Sequence, residues 1–127
     1  MRVLVIDDQP QIRGPICIKL LSLGYEVAEA ENGVQGLARY RETRPDVVLL
    51  DIYMPEKDGF ETLRDLLKFD PKATVLAMSG GGSYSHVQIL QAVSHMGAKA
   101  VLAKPFTFDE MLQTIARITA PPPASQA

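Results

Sequence analysis

Short apolar runs with no polar residue in them recur along this chain, separated by longer stretches of helical periodicity. Val3-Leu4-Val5-Ile6, Val47-Val48-Leu49-Leu50 and Val75-Leu76-Ala77-Met78 carry no polar side chain. A strand without a polar face has to be covered on both sides, as in the parallel sheet of an α/β protein. Residues 25–29 (Tyr25-Glu26-Val27-Ala28-Glu29) alternate instead, which predicts a half-exposed edge strand, and residues 100–103 supply a fifth strand.

Five helices are predicted between and after these runs. Ile12, Ile16 and Leu20 recur every four residues in the first, although Gly14-Pro15 falls inside it. Proline removes a backbone donor and crowds the preceding turn, so a kink or a late start near Gly14 is expected. Val34, Leu37, Ala38 and Arg41 mark the second, which ends before Pro45. The third runs from Phe60 through Leu63, Leu66 and Leu67 and stops by Pro71. Ile89, Val93 and Met96 mark the fourth, with Gly97 as its cap. The fifth opens on a capping box, Thr107 with Glu110, and presents Phe108, Met111, Leu112, Ile115 and Ile118 on one face. Strand–helix repeated five times, with right-handed crossovers, gives a flavodoxin-like, doubly wound α/β fold. Its five-stranded parallel sheet has the order 2-1-3-4-5. A ligand site in such a sheet lies beyond the strand carboxyl ends, at the switch between strands one and three.

The residues at those ends are unusual. Asp7 and Asp8 close the first run, Asp51 the third, Ser79 the fourth, and Lys104 the fifth, just before Pro105. Aligned parallel strands bring three carboxylates, a hydroxyl and an ammonium onto one rim. Clustered carboxylates repel one another, and a hard divalent cation such as Mg²⁺ relieves this with all-oxygen coordination. A carboxylate beside Mg²⁺ can attack phosphorus, while a lysine neutralises phosphoryl charge. The glycines at 80–82 lack the Lys-Ser or Lys-Thr of a P-loop, and read instead as a mobile loop that orders with phosphate. His86 and His95 have no metal-ligand partners at suitable spacing and read as helix-surface residues. Cys17 reads as a packing residue.

With 127 residues the chain makes one domain with a real core. A net charge of −2 gives no case for direct nucleic-acid binding. No apolar stretch spans a bilayer, the start lacks a signal-peptide layout, and a lone cysteine excludes a disulfide framework. The cytoplasm is the expected compartment.

The motifs Val5-Ile6-Asp7-Asp8, Leu50-Asp51-Ile52-Tyr53-Met54-Pro55 with Asp58-Gly59, Ala77-Met78-Ser79-Gly80 and Lys104-Pro105-Phe106 together resemble a stand-alone, chemotaxis-regulator-like receiver domain of two-component signalling. The resemblance covers residues 1–119, leaving 120–127 as a Pro-rich flexible tail. It implies that Asp51 is the phosphoacceptor, and that the donor is a sensor histidine kinase or histidine phosphotransfer protein. Asp8, Asp51 and the Tyr53 backbone carbonyl would bind Mg²⁺, with Asp7 acting through a water. Ser79 and Lys104 would meet the phosphoryl oxygens, and the Lys104-Pro105 bond would be cis. Output would pass to a downstream protein through helix four, strand five and helix five, near Lys99, Val101 and Gln113. Helix one would face the kinase. The family's aromatic three residues before the lysine is replaced here by Val101, and Tyr53 stands at the pocket mouth. Such a module is not an enzyme in the turnover sense; it assists its own phosphorylation and dephosphorylation.

Two other readings share parts of the pattern. A phosphatase of the haloacid dehalogenase class also uses aspartate, Mg²⁺, a hydroxyl and a lysine. Its nucleophile ends strand one, however, with a second aspartate two residues on, and Gln9 and Pro10 stand at the corresponding places here. A phosphorylation-independent binding module would keep the fold without the chemistry, yet would retain buried charge at a cost.

Overall fold

The computed structural model describes residues 1–54, 58–80 and 85–119. The elements are β1 (Arg2–Ile6), α1 (Pro10–Ser22), β2 (Glu26–Ala30), α2 (Gly33–Thr43), β3 (Val47–Asp51), α3 (Gly59–Phe69), β4 (Val75–Ser79), α4 (His86–Met96), β5 (Ala100–Ala103) and α5 (Phe108–Thr119). All five strands run parallel in the order β2-β1-β3-β4-β5, as expected.

The two faces of the sheet carry separate cores. Leu4, Ile6, Val48, Leu50, Val75 and Ala77 meet Leu63 and Leu66 of α3 and Ile89 and Val93 of α4 on one side. Val3, Val5, Leu49, Leu76 and Met78 meet Ile16 and Leu20 of α1 and Met111 and Ile115 of α5 on the other. Every residue of β3 and β4 is buried, which is why those runs contain no polar side chain before their last residue.

Helix starts follow local chemistry. Asn32, Asp58 and Ser85 cap α2, α3 and α4 by accepting the backbone N–H three residues on, and Ser85 with Gln88 completes a capping box. Gly97 ends α4 at φ 115, in the left-handed region that glycine enters freely. Thr107 accepts from the Glu110 N–H at 3.0 Å ahead of α5. Phe108 remains 40% exposed, so the buried stripe of α5 begins at Met111.

Of the two outcomes expected for the first helix, a kink or a late start near Gly14, the late start is not seen, because α1 starts at Pro10. Proline at the first helical position has no N–H to lose and a preset φ. Pro15 lies within α1, and both it and Gln11, the residue four before it, are exposed, so water can satisfy the carbonyl that proline leaves without a donor. Pro55, the loop at 81–84, the tail at 120–127 and the His86 side chain lie outside the described residues, as do the expectations for them.

Candidate functional site

The strand registers bring the sequence-predicted residues to one rim. Ile6 pairs with Leu50, so Asp7 and Asp51 follow their strands out together; Asp51 pairs with Met78, one residue before Ser79; and Ser79 pairs with Ala103, one residue before Lys104. The Lys104 N–H then donates to the Ser79 carbonyl at 2.6 Å, extending the ladder past β5.

Charge converges there. Asp7 is fully buried and Asp51 is 2% exposed. The Lys104 ammonium reaches from the far edge of the sheet to Asp7 Oδ2 at 3.0 Å and Asp51 Oδ1 at 3.4 Å. Backbone donors hold both carboxylates. The Gln9 N–H donates to Asp7 Oδ1 at 3.0 Å, and the Tyr53 N–H to Asp51 Oδ1 at 3.2 Å. Arg13, paired with Glu29 at 3.0 Å, donates to the Asp7 backbone carbonyl at 2.7 Å and pins the start of the β1–α1 loop. This contact had no motif to announce it.

Burial, and next the charge of Asp7, push the Asp51 carboxyl up to about 7, against the opposing pull of Lys104 and the Tyr53 N–H. Among the described residues a single ammonium, that of Lys104, contacts the two buried carboxylates. Asp7, Asp8 and Asp51 each offer an oxygen within 4.8 Å of the others. Asp8 Oδ1 is, among the described residues, the buried side-chain oxygen without a hydrogen-bond partner. An orphaned carboxylate oxygen beside two more carboxylates fits a hard divalent cation.

The site opens into a cleft of about 470 Å³ lined by Asp8, Asp51, Tyr53, Gly80 and Lys104, with an apolar wall that includes Ile12 and Phe106. Tyr53 is half-buried at this cleft, as expected of a residue at its mouth. Ser79, 5% exposed, stands on the same rim. The Lys104-Pro105 bond is cis. Val101 is half-buried and packs against the α3–α4 core. Two glycines pack against the site: a Cβ on Gly80 would meet the Lys104 stem, and one on Gly59 the Asp51–Ile52 backbone. The Asp58-Gly59 and Ser79-Gly80 pairs were visible as motifs, but not what they touch.

The chain resembles known proteins in sequence and in fold. Residues 3–116 match the model of the response regulator receiver domain. The chemotaxis protein CheY of Bacillus subtilis is 39% identical over 115 residues, covering 90% of this chain and 93% of that protein. Sporulation initiation phosphotransferase F of the same organism is 33% identical over 114 residues, covering 90% of each. Among solved structures, the CheX–CheY–BeF3–Mg complex from Borrelia burgdorferi superposes with a TM-score of 0.87 at 26% identity, covering 95% of this chain and 90% of that one. Registered strand ends, a buried acidic cluster with its lysine and these likenesses agree, and the chain belongs to the response regulator receiver domain family, as a phosphoacceptor module of signalling.

Proposed function

We propose that Asp51 takes a phosphoryl group from the phosphohistidine of a sensor histidine kinase or histidine phosphotransfer protein. Residues 1–119 form the domain that does so, with 120–127 as a Pro-rich tail. The observation that carries this reading is the bridging Lys104 ammonium, 3.0 Å from Asp7 and 3.4 Å from Asp51, beside the orphaned Asp8 oxygen.

A carboxylate oxygen of Asp51 attacks phosphorus, the phosphorus–nitrogen bond breaks, and its electron pair leaves on the imidazole. Held in place by the Tyr53 N–H, Asp51 attacks as the ionised form, which burial disfavours without a further cation. Lys104 passes its contact from Asp51 to a phosphoryl oxygen, and Ser79 donates its hydroxyl to another. Asp8, Asp51 and the Tyr53 backbone carbonyl would hold Mg²⁺, with Asp7 acting through a water. The ion, when bound, supplies neutralising charge for the clustered carboxylates and the phosphoryl oxygens. Water attack on phosphorus later returns Asp51 and inorganic phosphate, so the chain assists both halves of its own cycle without turning over a free substrate.

The donor approaches over α1, beside the cleft, and the signal leaves through α4, β5 and α5 near Lys99, Val101 and Gln113 to a downstream protein or by onward phosphotransfer. The Borrelia complex, with its beryllofluoride and Mg²⁺, supports the same pair of groups here.

A backbone-amide NMR titration with Mg²⁺ and then beryllofluoride tests the reading, with Asp51→Asn as control. Shifts centred on Asp8, Asp51 and Ser79 that extend to Val101 in the wild type alone are expected. Mg²⁺ binding with no response to beryllofluoride would overturn the phosphoacceptor role.

A further inference from the structure

The first turn of α3 rests directly on the backbone that carries the phosphoryl site. Gly59 is buried, and its N–H donates to the Ile52 carbonyl at 3.0 Å. Asp58 holds that turn in place by accepting from the Glu61 N–H at 2.8 Å. A Cβ on Gly59 would lie 2.5 Å from the Asp51 carbonyl oxygen and 2.8 Å from the Ile52 carbonyl oxygen, and would also overlap the Ile52 Cα. All three are backbone atoms.

Among the described residues, the other close approaches are of a different kind. A Cβ on Gly36 would meet the outer carbons of Ile6, and one on Gly80 the stem of Lys104; side chains can turn aside. At Gly59 only the main chain can yield. Ordinary contact begins at 3.4 Å, so relief of the 2.5 Å approach needs a shift of about 0.9 Å in α3 or in the Asp51–Ile52 strand end. Glycine is otherwise a poor residue for a helix, so helix formation does not account for it there.

We propose that Gly59 is a positioning residue for the phosphoryl site. Its missing side chain lets α3 seat on the Asp51–Ile52 backbone, and that seat fixes the path of residues 51–53, which present the Asp51 carboxylate and the Tyr53 carbonyl. The inference rests on the Mg²⁺ site proposed above. Groups that orient metal ligands from behind change affinity by about 10–100-fold when lost.

The test is Mg²⁺ binding by calorimetry to the wild-type chain, Gly59→Ala and Leu66→Ala, with urea stability measured for each. Leu66 is buried in the same helix, two turns further along, so its loss weakens packing without touching the strand end. The expected result is an affinity at least tenfold weaker in Gly59→Ala and within twofold of wild type in Leu66→Ala. A Gly59→Ala affinity within twofold of wild type overturns the inference and leaves the proposed function standing. Equal weakening in both variants overturns it too, as loss of packing rather than of position. A wild type that binds no Mg²⁺ overturns the inference and the metal site together. Should Gly59→Ala not fold, hydrogen exchange in the wild type decides: saturating Mg²⁺ is expected to slow the Gly59 amide several-fold more than the Leu66 amide, and equal slowing overturns the inference.

Discussion

Replacing Asp51 by asparagine should stabilise the metal-free fold, and by an amount that depends on pH. Asparagine keeps the shape and the oxygen that accepts the Tyr53 N–H at 3.2 Å, but removes one of two buried negative charges. The Asp51 carboxyl rises from 3.8 to about 7, chiefly through burial and then through Asp7. A carboxyl whose folded pKa is raised holds its proton more tightly when folded, so its contribution is complete below about 4 and is lost as pH rises to 7. At 1.36 kcal/mol per tenfold change in proton affinity, the loss is at most about 4 kcal/mol. Relaxation of the buried site and water entry reduce the figure, so on the order of 2 kcal/mol is expected at pH 8. Urea denaturation followed by far-ultraviolet circular dichroism, in EDTA from pH 4 to pH 8, reads it directly. The two chains should match near pH 4 and diverge steadily, with the asparagine variant the more stable. Saturating Mg²⁺ should then reverse the order, since a ligand at 100 times its Kd adds about 2.7 kcal/mol to the chain that binds it. A gap that does not vary with pH, or a variant less stable at pH 8 in EDTA, would refute the electrostatic account of the pocket.

Two further outcomes follow from single contacts. Tyr53 lines the cleft beside Asp51, so Tyr53→Ala should admit water and shorten the life of the phosphorylated chain several-fold, as read by phosphate release after a pulse of acetyl phosphate. The Tyr40 hydroxyl donates to Asp70 Oδ2 at 2.7 Å and is the main cause holding the Asp70 carboxyl below its ordinary 3.8. Tyr40→Phe should therefore cost about 1 kcal/mol at neutral pH, with the difference fading as pH falls below 3.8, in urea titrations at the two ends of that range.

The fold was legible because the runs 3–6, 47–50 and 75–78 are short, wholly apolar and closed by a polar residue. Runs such as Val47 to Leu50 can be buried only on both faces, and the helix periods between them leave one common topology. The rim residues were legible for the same reason, since strand ends in register share an edge. Contacts made by backbone or by residues with no charge of their own were not. Nothing in the sequence says that Arg13 reaches the Asp7 carbonyl, or that Gly59 seats α3 on Asp51. Both depend on the angle at which a helix packs, which periodicity does not encode. The late start, one of the two outcomes weighed for the first helix, is not seen because Pro10 is itself a favourable first residue. Phe108 failed as a core residue because a helical stripe predicts a face, not where the neighbouring elements end.

Lys104 is where the charge balance and the chemistry pull in opposite directions, and that separates them. Its ammonium is, among the described residues, the positive group that contacts Asp7 and Asp51, at 3.0 and 3.4 Å. Lys104→Met retains an unbranched stem against Gly80 and removes the charge. Without metal the change should destabilise the fold, since breaking a buried pair leaves an uncompensated charge, at a cost of about 3–5 kcal/mol. Mg²⁺ should then bind more tightly, because the cation that shares its carboxylates is gone. At an effective dielectric near 20, even a residual repulsion of about 1.4 kcal/mol is tenfold in affinity. The Asp51 carboxyl, already at about 7 with Lys104 opposing the rise, goes higher without it, so the titration is run at pH 9 to reduce competition from protons. Phosphorylation by acetyl phosphate at saturating Mg²⁺ should nevertheless slow by at least tenfold, because no ammonium remains for the phosphoryl oxygens. Tighter metal binding with slower phosphorylation is the expected pair of results. Weaker Mg²⁺ binding at pH 9 would mean that Lys104 organises the carboxylates rather than competing for them.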